Sequence, residues 1–335
     1  MDDSCFYFGV NTLNGFDAGF FDCQNYEEIY EIIGGSLMTR DKFFLALSER
    51  LDELMMDYEM FFSWNRCCAI MCNDKKIFIA DETVLLSDKK DIKIINLEDF
   101  VEPNYPRELL KIYRSDYNKN NKRCQRFLSA AYSIKNDIVR IEEANINVRK
   151  INTYTSKLWK RCGGIMKGNI GTEKKRFVSC ITPDGVELNM KIFDTCERLS
   201  VIIDRSGAIS TLIVDRIRRY ALSSGYDVIC CVCSLDGKTI EHIVIPELKF
   251  GVFSSEHYHR MLPKKERRIF ASRFYNDKDE PFKNRINFSL KAYRSLMNEA
   301  FDSLANMRVS EQKICGVFND KVDIYKAVEN IVNNI

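Results

Sequence analysis

Apolar residues in this chain fall first in short runs closed by turns and then in wider stripes, the pattern of strands alternating with helices. In LSVIIDRSGAISTLIVDRI, residues 199–217, an apolar run meets a tight Gly/Ser turn and then a segment of helical period. EIYEIIGGSLMTRDKFFLAL, residues 28–47, repeats that strand, turn and helix. Residues 70–72 and 77–80 are apolar and are separated only by Asn73–Lys76, so they read as an antiparallel hairpin. Phe127, Ala131, Ile134, Ile138 and Ile141 recur at steps of four and three, as do Ile286, Leu290, Tyr293, Met297 and Ala300. Both stripes predict helices, each packed on its own lobe.

The pattern occurs twice. NTLNGF (11–16) resembles ITPDGV (181–186), pairing Thr12 with Thr182 and Gly15 with Gly185. Residues 28–47 match the 199–217 stretch with Arg40 opposite Ile209. DYEMFF (57–62) lies against GYDVIC (225–230), and IMCNDKKIFIADE (70–82) against IVIPELKFGVFSS (243–255) if the second copy has a loop about five residues longer. Between the copies Gly163, Gly164, Gly168 and Gly171 fall together and read as a linker. The expected division is a first lobe 1–105, a helical appendage 106–162, a linker 163–176, a second lobe 177–260 and a C-terminal helical appendage 261–335.

Composition narrows the classes. The chain has 335 residues, enough for two or three domains, with Lys+Arg 50 against Asp+Glu 48. A formal charge of +2 supplies no global field toward nucleic acid or anionic membrane, so such binding needs a local patch. No apolar run approaches the roughly 20 residues that span a bilayer. The acidic start MDDSCFYFGV lacks the basic opening of a secretory signal, which points to a cytoplasmic protein without membrane association. Thirteen cysteines, grouped as Cys67, Cys68, Cys72 and as Cys230, Cys231, Cys233 in strand-like runs, read as buried thiols. CCxxxC and CCxC supply no paired zinc ligands.

The strand, turn and helix segments have the layout of a phosphate-binding loop. In GxxxxGK[ST], glycines let backbone N–H groups cradle phosphates, lysine reaches their oxygens and Ser/Thr holds magnesium. The first copy keeps Gly34, Gly35 and Ser36, but Thr39, Arg40 and Asp41 stand at the last three positions. Asp41 is expected to put a carboxylate beside the phosphates. The second keeps Ser206, Gly207, Ser210 and Thr211, with Ala208 and Ile209 in place of the Gly-Lys pair. An anion cradle can survive there at the helix start, and Ser210 can equally cap the helix. Arg40 and Arg205 are the candidate replacement cations, and Asp81 and Glu82, after four apolar residues, the candidate magnesium acids. An antiparallel hairpin need not bring Asp81 to the loop.

With these residues in place, the chain resembles a little-studied bacterial family of tandem P-loop ATPase-like proteins, most closely over residues 181–255 and especially SSGYDVICCVCSLDGKTIEHIVIPEL. The resemblance implies an α/β fold of two duplicated P-loop NTPase-like lobes, each with a helical appendage, and ATP or another nucleotide with magnesium as cofactor. Members are labelled ATPases or nucleotide kinases. Carried onto this chain, the nucleotide loops fall on residues 34–41 and 203–211, and the lysine is missing from both. The expectation is therefore a catalytically weak or inactive scaffold or regulator with an unknown protein partner. The alternatives are an ATPase or kinase using Arg40 or Arg205, and a nucleic-acid or protein-binding module.

Other chemistry is sparse. The three histidines are His242, His257 and His259. His257-x-His259 could chelate a metal with Glu256 or His242, although exposed loop histidines fit the same pattern. Basic clusters at Arg216, Arg218 and Arg219, at Lys264, Lys265, Arg267 and Arg268, and at Lys174, Lys175 and Arg176 read as solvated faces. Nucleic acid is not an expected partner, because aromatic residues do not interleave with them.

Overall fold

The computed structural model describes residues 5–18, 26–64, 66–84, 91–101, 105–256, 266–276, 280–318 and 321–333. The first series of elements is β1 (Val10–Thr12), β2 (Gly15–Asp17), β3 (Glu28–Ile33), α1 (Leu37–Glu53), β4 (Glu59–Ser63), β5 (Arg66–Cys72), β6 (Ile77–Asp81), β7 (Ile92–Asn96), α2 (Arg107–Glu143) and α3 (Val148–Arg161). The second is β8 (Glu173–Phe177), β9 (Ser179–Thr182), β10 (Gly185–Leu188), β11 (Arg198–Ile203), α4 (Ala208–Ser223), β12 (Val228–Val232), β13 (Ile240–Ile245), β14 (Phe250–Ser255), β15 (Glu266–Phe270), α5 (Glu280–Phe318) and α6 (Ile324–Val332). The protein is α/β. Among the described residues no helix is long and apolar enough to cross a membrane.

The chain divides into two compact units. One takes residues 8–10, 15–124 and 302–335 and holds a five-stranded sheet in the order β4-β5-β6-β3-β7. The other takes residues 1–7, 11–14 and 125–301 and holds a six-stranded sheet in the order β15-β11-β14-β13-β12-β8. Read from the opposite edge, β12-β13-β14-β11-β15 repeats β4-β5-β6-β3-β7 strand for strand. The senses repeat too. β3 runs parallel to β6 and β7 as β11 does to β14 and β15, and β5 and β13 are antiparallel to both their neighbours. Both sheets are therefore mixed.

Sequence explains the layers. All seven positions of β5 except Arg66, and all five of β6, are buried, as expected of strands covered on both faces. α1 turns Phe43, Phe44, Leu47 and Leu51 into the five-stranded unit's core, where each such side chain contributes about 1.5–3 kcal/mol. α4 does the same in the six-stranded unit with Ile209, Ile213, Val214 and Ile217. The paired turns also match in detail. Asn14 N donates to Thr12 Oγ1 at 3.1 Å, and Asp184 N donates to Thr182 Oγ1 at 3.2 Å.

The units differ from the divisions read in the sequence. Gly163 and Gly168 do take positive φ, but the end of the expected linker is the edge strand β8, parallel to β12. Its exposed Lys174 and Lys175 look like a linker because an edge strand keeps one side in water. Likewise the expected C-terminal helical segment opens with β15, paired to β11. The long helices α2 and α5 are each shared between the units, with boundaries at 124/125 and 301/302. Ile138 thus packs with Ile286 and Leu290 in the six-stranded unit rather than with the first lobe.

Candidate functional site

In the five-stranded unit the loop after β3 sits at the carboxyl ends of parallel β3 and β6. Gly34 and Gly35 both have positive φ, and a Cβ at Gly34 would lie 2.4 Å from Asn96 Oδ1, so only glycine fits there. Ser36 is the N-cap of α1, accepting from Thr39 N at 3.0 Å, and Thr39 Oγ1 shares a hydrogen bond with Ser36 Oγ at 2.8 Å. The next free amide, Leu37 N, donates to Glu311 from α5. Two chain carboxyl and hydroxyl groups therefore already satisfy the start of this helix.

Arg40 is turned inward, only 4% exposed. Its Nη1 donates to Gly34 O at 2.7 Å and to Glu82 Oε1 at 2.7 Å, and its Nε lies 3.7 Å from Asp81 Oδ2. Asp81 is fully buried and also accepts from Arg66 Nη1 and Thr83 N. Burial opposes its charge, but Arg66, Arg40 and the Thr83 hydrogen bond together hold its carboxyl below the usual range. The residues 70–80 form the antiparallel hairpin read in the sequence, yet β6 returns parallel to β3, and this carries Asp81 to the loop. Asp41 goes elsewhere, because its position on α1 faces β5 and it accepts from Cys67 N at 2.8 Å. A cavity of about 500 Å³ opens in front of this loop, lined by Gly34, Arg40, Glu82, Glu98, Arg114 and Tyr117 among others.

The second loop solves the same geometry with the opposite charge. Asp204, 2% exposed, accepts from Ile209 N and Ser210 N at 2.8 Å each and from Ser206 N at 3.3 Å. These are the first-turn amides that a phosphate would take in a nucleotide loop. Where the sequence suggested an anion cradle, at residues 206–211, the chain's own carboxylate accepts these amides. Gly207 is the N-cap residue, with φ 86° and no side chain to cap, and Asp204 supplies the missing acceptor. Thr211 N donates to Gly207 O at 3.0 Å in the ordinary helical ladder. Ser210 Oγ meets Ser254 Oγ at 2.9 Å. In matching strand registers Ile32 faces Asp81 and Ile202 faces Ser254, so the strand position that holds Asp81 in one unit holds a hydroxyl in the other.

Arg205 is exposed and remains a solvated turn residue. The cation at this loop is instead Lys135 of α2, whose Nζ lies 3.3 Å from Glu241 and 3.0 Å from Glu256. A Cβ at Gly207 would meet Glu256 Oε1 at 2.6 Å and Lys135 Cε at 3.8 Å. Glu142, also on α2, accepts from Ser206 Oγ and from Tyr275 Oη, the latter at 2.7 Å. Two carboxylates thus pair with Lys135, and two more, Asp204 and Glu142, bond the loop itself. Burial raises the Asp204 carboxyl, with Glu142 adding to it against the three amides, and burial pushes Glu256 up to about 7 despite Lys135.

Sequence reasoning missed Lys135, Glu142, Arg66, Arg114 and Glu311. Their only signal is that they are polar residues within apolar stretches of helix and strand. Of the metal candidates, His257 and His259 lie outside the described residues, and His242 Nδ1 accepts from Ser254 N at 3.0 Å inside the sheet. Among the described residues no group of His, Cys, Asp and Glu is arranged to hold a metal ion. The described cysteines are free thiols, and burial raises Cys67 and Cys230 to about 12, which keeps these two protonated at neutral pH. No protein-family model, characterised protein or solved structure matches the chain.

Proposed function

We propose that this chain is a duplicated, P-loop-like α/β protein that has given up nucleotide hydrolysis and acts as a scaffold or regulator. The observation that carries the reading is Asp204 on the amides of Ile209 and Ser210. A bound phosphate would have to displace a buried carboxylate that satisfies those donors, and the two anions repel. The first loop supports the same conclusion. Arg40 spends its guanidinium on Gly34 O, Glu82 and Asp81, so it is not a cation held ready for a phosphate. Duplication is supported by the repeated strand order together with the matching Thr-x-x-Gly turns.

The cavity beside Arg40 and Arg114 favours a second, narrower reading, residual nucleotide binding at the first loop alone. Thermal-shift titration with ATP, ADP and GTP, with and without magnesium, separates these readings, since a ligand at about 100 times its Kd adds roughly 2.7 kcal/mol. The scaffold reading expects no shift and no ATP turnover. A shift lost in Arg40→Ala but kept in Gly207→Asp supports residual binding at the first loop. ATP turnover abolished by Arg40→Ala or Arg205→Ala overturns the proposal in favour of an ATPase or kinase.

A further inference from the structure

α3 carries the sequence VRKINTYTSKLWKR, with Arg149, Lys150, Lys157, Lys160 and Arg161 and not one Asp or Glu. Its apolar stripe, Ile151, Tyr154 and Leu158, packs into the six-stranded unit's core with Ile213, Ile217 and Phe274. The cations are thereby turned outward, and Lys150, Lys157 and Arg161 are exposed. Two more arginines reach the same place from β15 and the turn after it. Arg267 Cζ lies 5.8 Å and Arg273 Cζ 5.5 Å from the centre of the Tyr154 ring, which itself stands edge-on to Phe274 at 5.3 Å.

Two features distinguish this face from an ordinary solvated one. First, none of Arg161, Arg267 and Arg273 has an ion-pair partner among the described residues, whereas on α4 Arg218 is paired with Glu173 and Arg219 with Asp215. Second, the Tyr154 hydroxyl is buried with no hydrogen-bond partner, in a residue 9% exposed. A buried hydroxyl without an acceptor costs about 1–3 kcal/mol, so an incoming acceptor is favoured. The charges of Arg267 and Arg273, which stand over the ring, and of Arg161 at the end of α3 all act on that hydroxyl.

We infer that this face of the six-stranded unit binds the phosphate backbone of double-stranded nucleic acid. Arg161, Arg267 and Arg273 seat one phosphate with the Tyr154 hydroxyl as a fourth donor, and Lys150 and Lys157 meet its neighbours along the helix. Arginine forks suit phosphate oxygens. Fourteen residues of helix extend about 21 Å, long enough for several backbone phosphates rather than one isolated anion. The aromatic rings of the cluster are buried and offer no platform for stacking bases, which favours a duplex over a single strand. A membrane surface fits less well, because the apolar stripe of α3, Ile151, Tyr154 and Leu158, is spent on the core rather than turned outward.

Fluorescence anisotropy with a labelled duplex of about 20 base pairs, over about 50–300 mM KCl, tests this directly. The expected result is binding at the lowest salt that weakens steeply, with a log–log slope near −0.9 for each phosphate neutralised. The triple variant Arg161→Ala, Arg267→Ala, Arg273→Ala should bind at least about tenfold more weakly and, with the one phosphate they seat released, flatten the slope by about 1. Arg219→Ala should leave binding unchanged. If the triple variant does not fold, Lys150→Glu with Lys157→Glu makes the same test at wholly exposed positions. No binding at the lowest salt, or binding that survives both sets of changes, overturns the inference. Binding to phosphatidylserine vesicles but not to the duplex overturns it in favour of a membrane surface.

Discussion

Replacing Asp204 by alanine tests the central physical claim, that an internal carboxylate occupies the place of a phosphate. The change strips the acceptors from Ile209 N and Ser210 N, both at 2.8 Å, and from Ser206 N at 3.3 Å. Loss of a cap costs about 0.5–2 kcal/mol, and each buried amide left unpaired about 1–3 kcal/mol. Against this stands relief of a carboxylate that burial and Glu142 already disfavour. The net expectation is a loss of about 2–4 kcal/mol, which for a unit of this size lowers its melting temperature by roughly 5–15 °C. Asp204→Asn, which keeps one side-chain oxygen, should lose about half as much. Differential scanning calorimetry supplies the readout. Sulfate then separates the phosphate-mimic claim from simple capping. Sulfate stabilises most folds by exclusion, so the quantity of interest is the extra stabilisation of Asp204→Ala over the unaltered protein. If the alanine variant melts within about 1 °C of the parent, or gains nothing extra from sulfate, the reasoning is refuted.

Two further outcomes follow from the charge clusters. Arg40→Ala removes a buried cation from Asp81 and should destabilise the five-stranded unit by about 3–5 kcal/mol in chemical denaturation. Arg40→Lys should recover only part of that, since it cannot reach Gly34 O, Glu82 and Asp81 together. Glu256 gives a pH signature. Its folded pKa of about 7 lies above the ordinary 4.5, so the folded state holds an extra proton between those values. That contribution is present at low pH and is lost as pH rises through about 7. The melting temperature difference between the parent and Glu256→Gln should therefore change between pH 5 and 8 to the parent's disadvantage, and a pH-independent difference would exclude the assignment.

Much of the fold was legible because strands and turns are local. Beyond the Thr-x-x-Gly turns, the matched segments fall in strands that hold the same places in the two sheets, and the connection from β12 to β13 is longer than that from β4 to β5. The hairpin at residues 70–80 was legible for the same reason. The loop chemistry was not, because its decisive partners are far away in the chain. Glu311 reaches Leu37 across 274 residues, Lys135 reaches Glu256 across 121, and Glu142 reaches Ser206 across 64. No spacing rule encodes such meetings. Asp204 was within reach of the sequence, as an acid placed just before a Gly turn and a helix start, where first-turn amides want an acceptor. The basic face of α3 was hidden differently. Its cations are scattered at helical spacing rather than in a run, and their lack of partners is visible only in three dimensions.

The division of α2 and α5 between the units has a consequence for biosynthesis. The core that closes over β3, β5 and β6 includes Ile314, Phe318, Val322, Val328 and Ile331. Those residues leave the ribosome after about two hundred others have followed the first sheet out, which at cellular rates takes on the order of 10–50 s. For that interval the face of the first sheet that they close is covered only in part, by α1 and the start of α2. Helices made this long after the first sheet are the ones that finish it, so this protein should depend on nascent-chain chaperones more than its size alone would suggest.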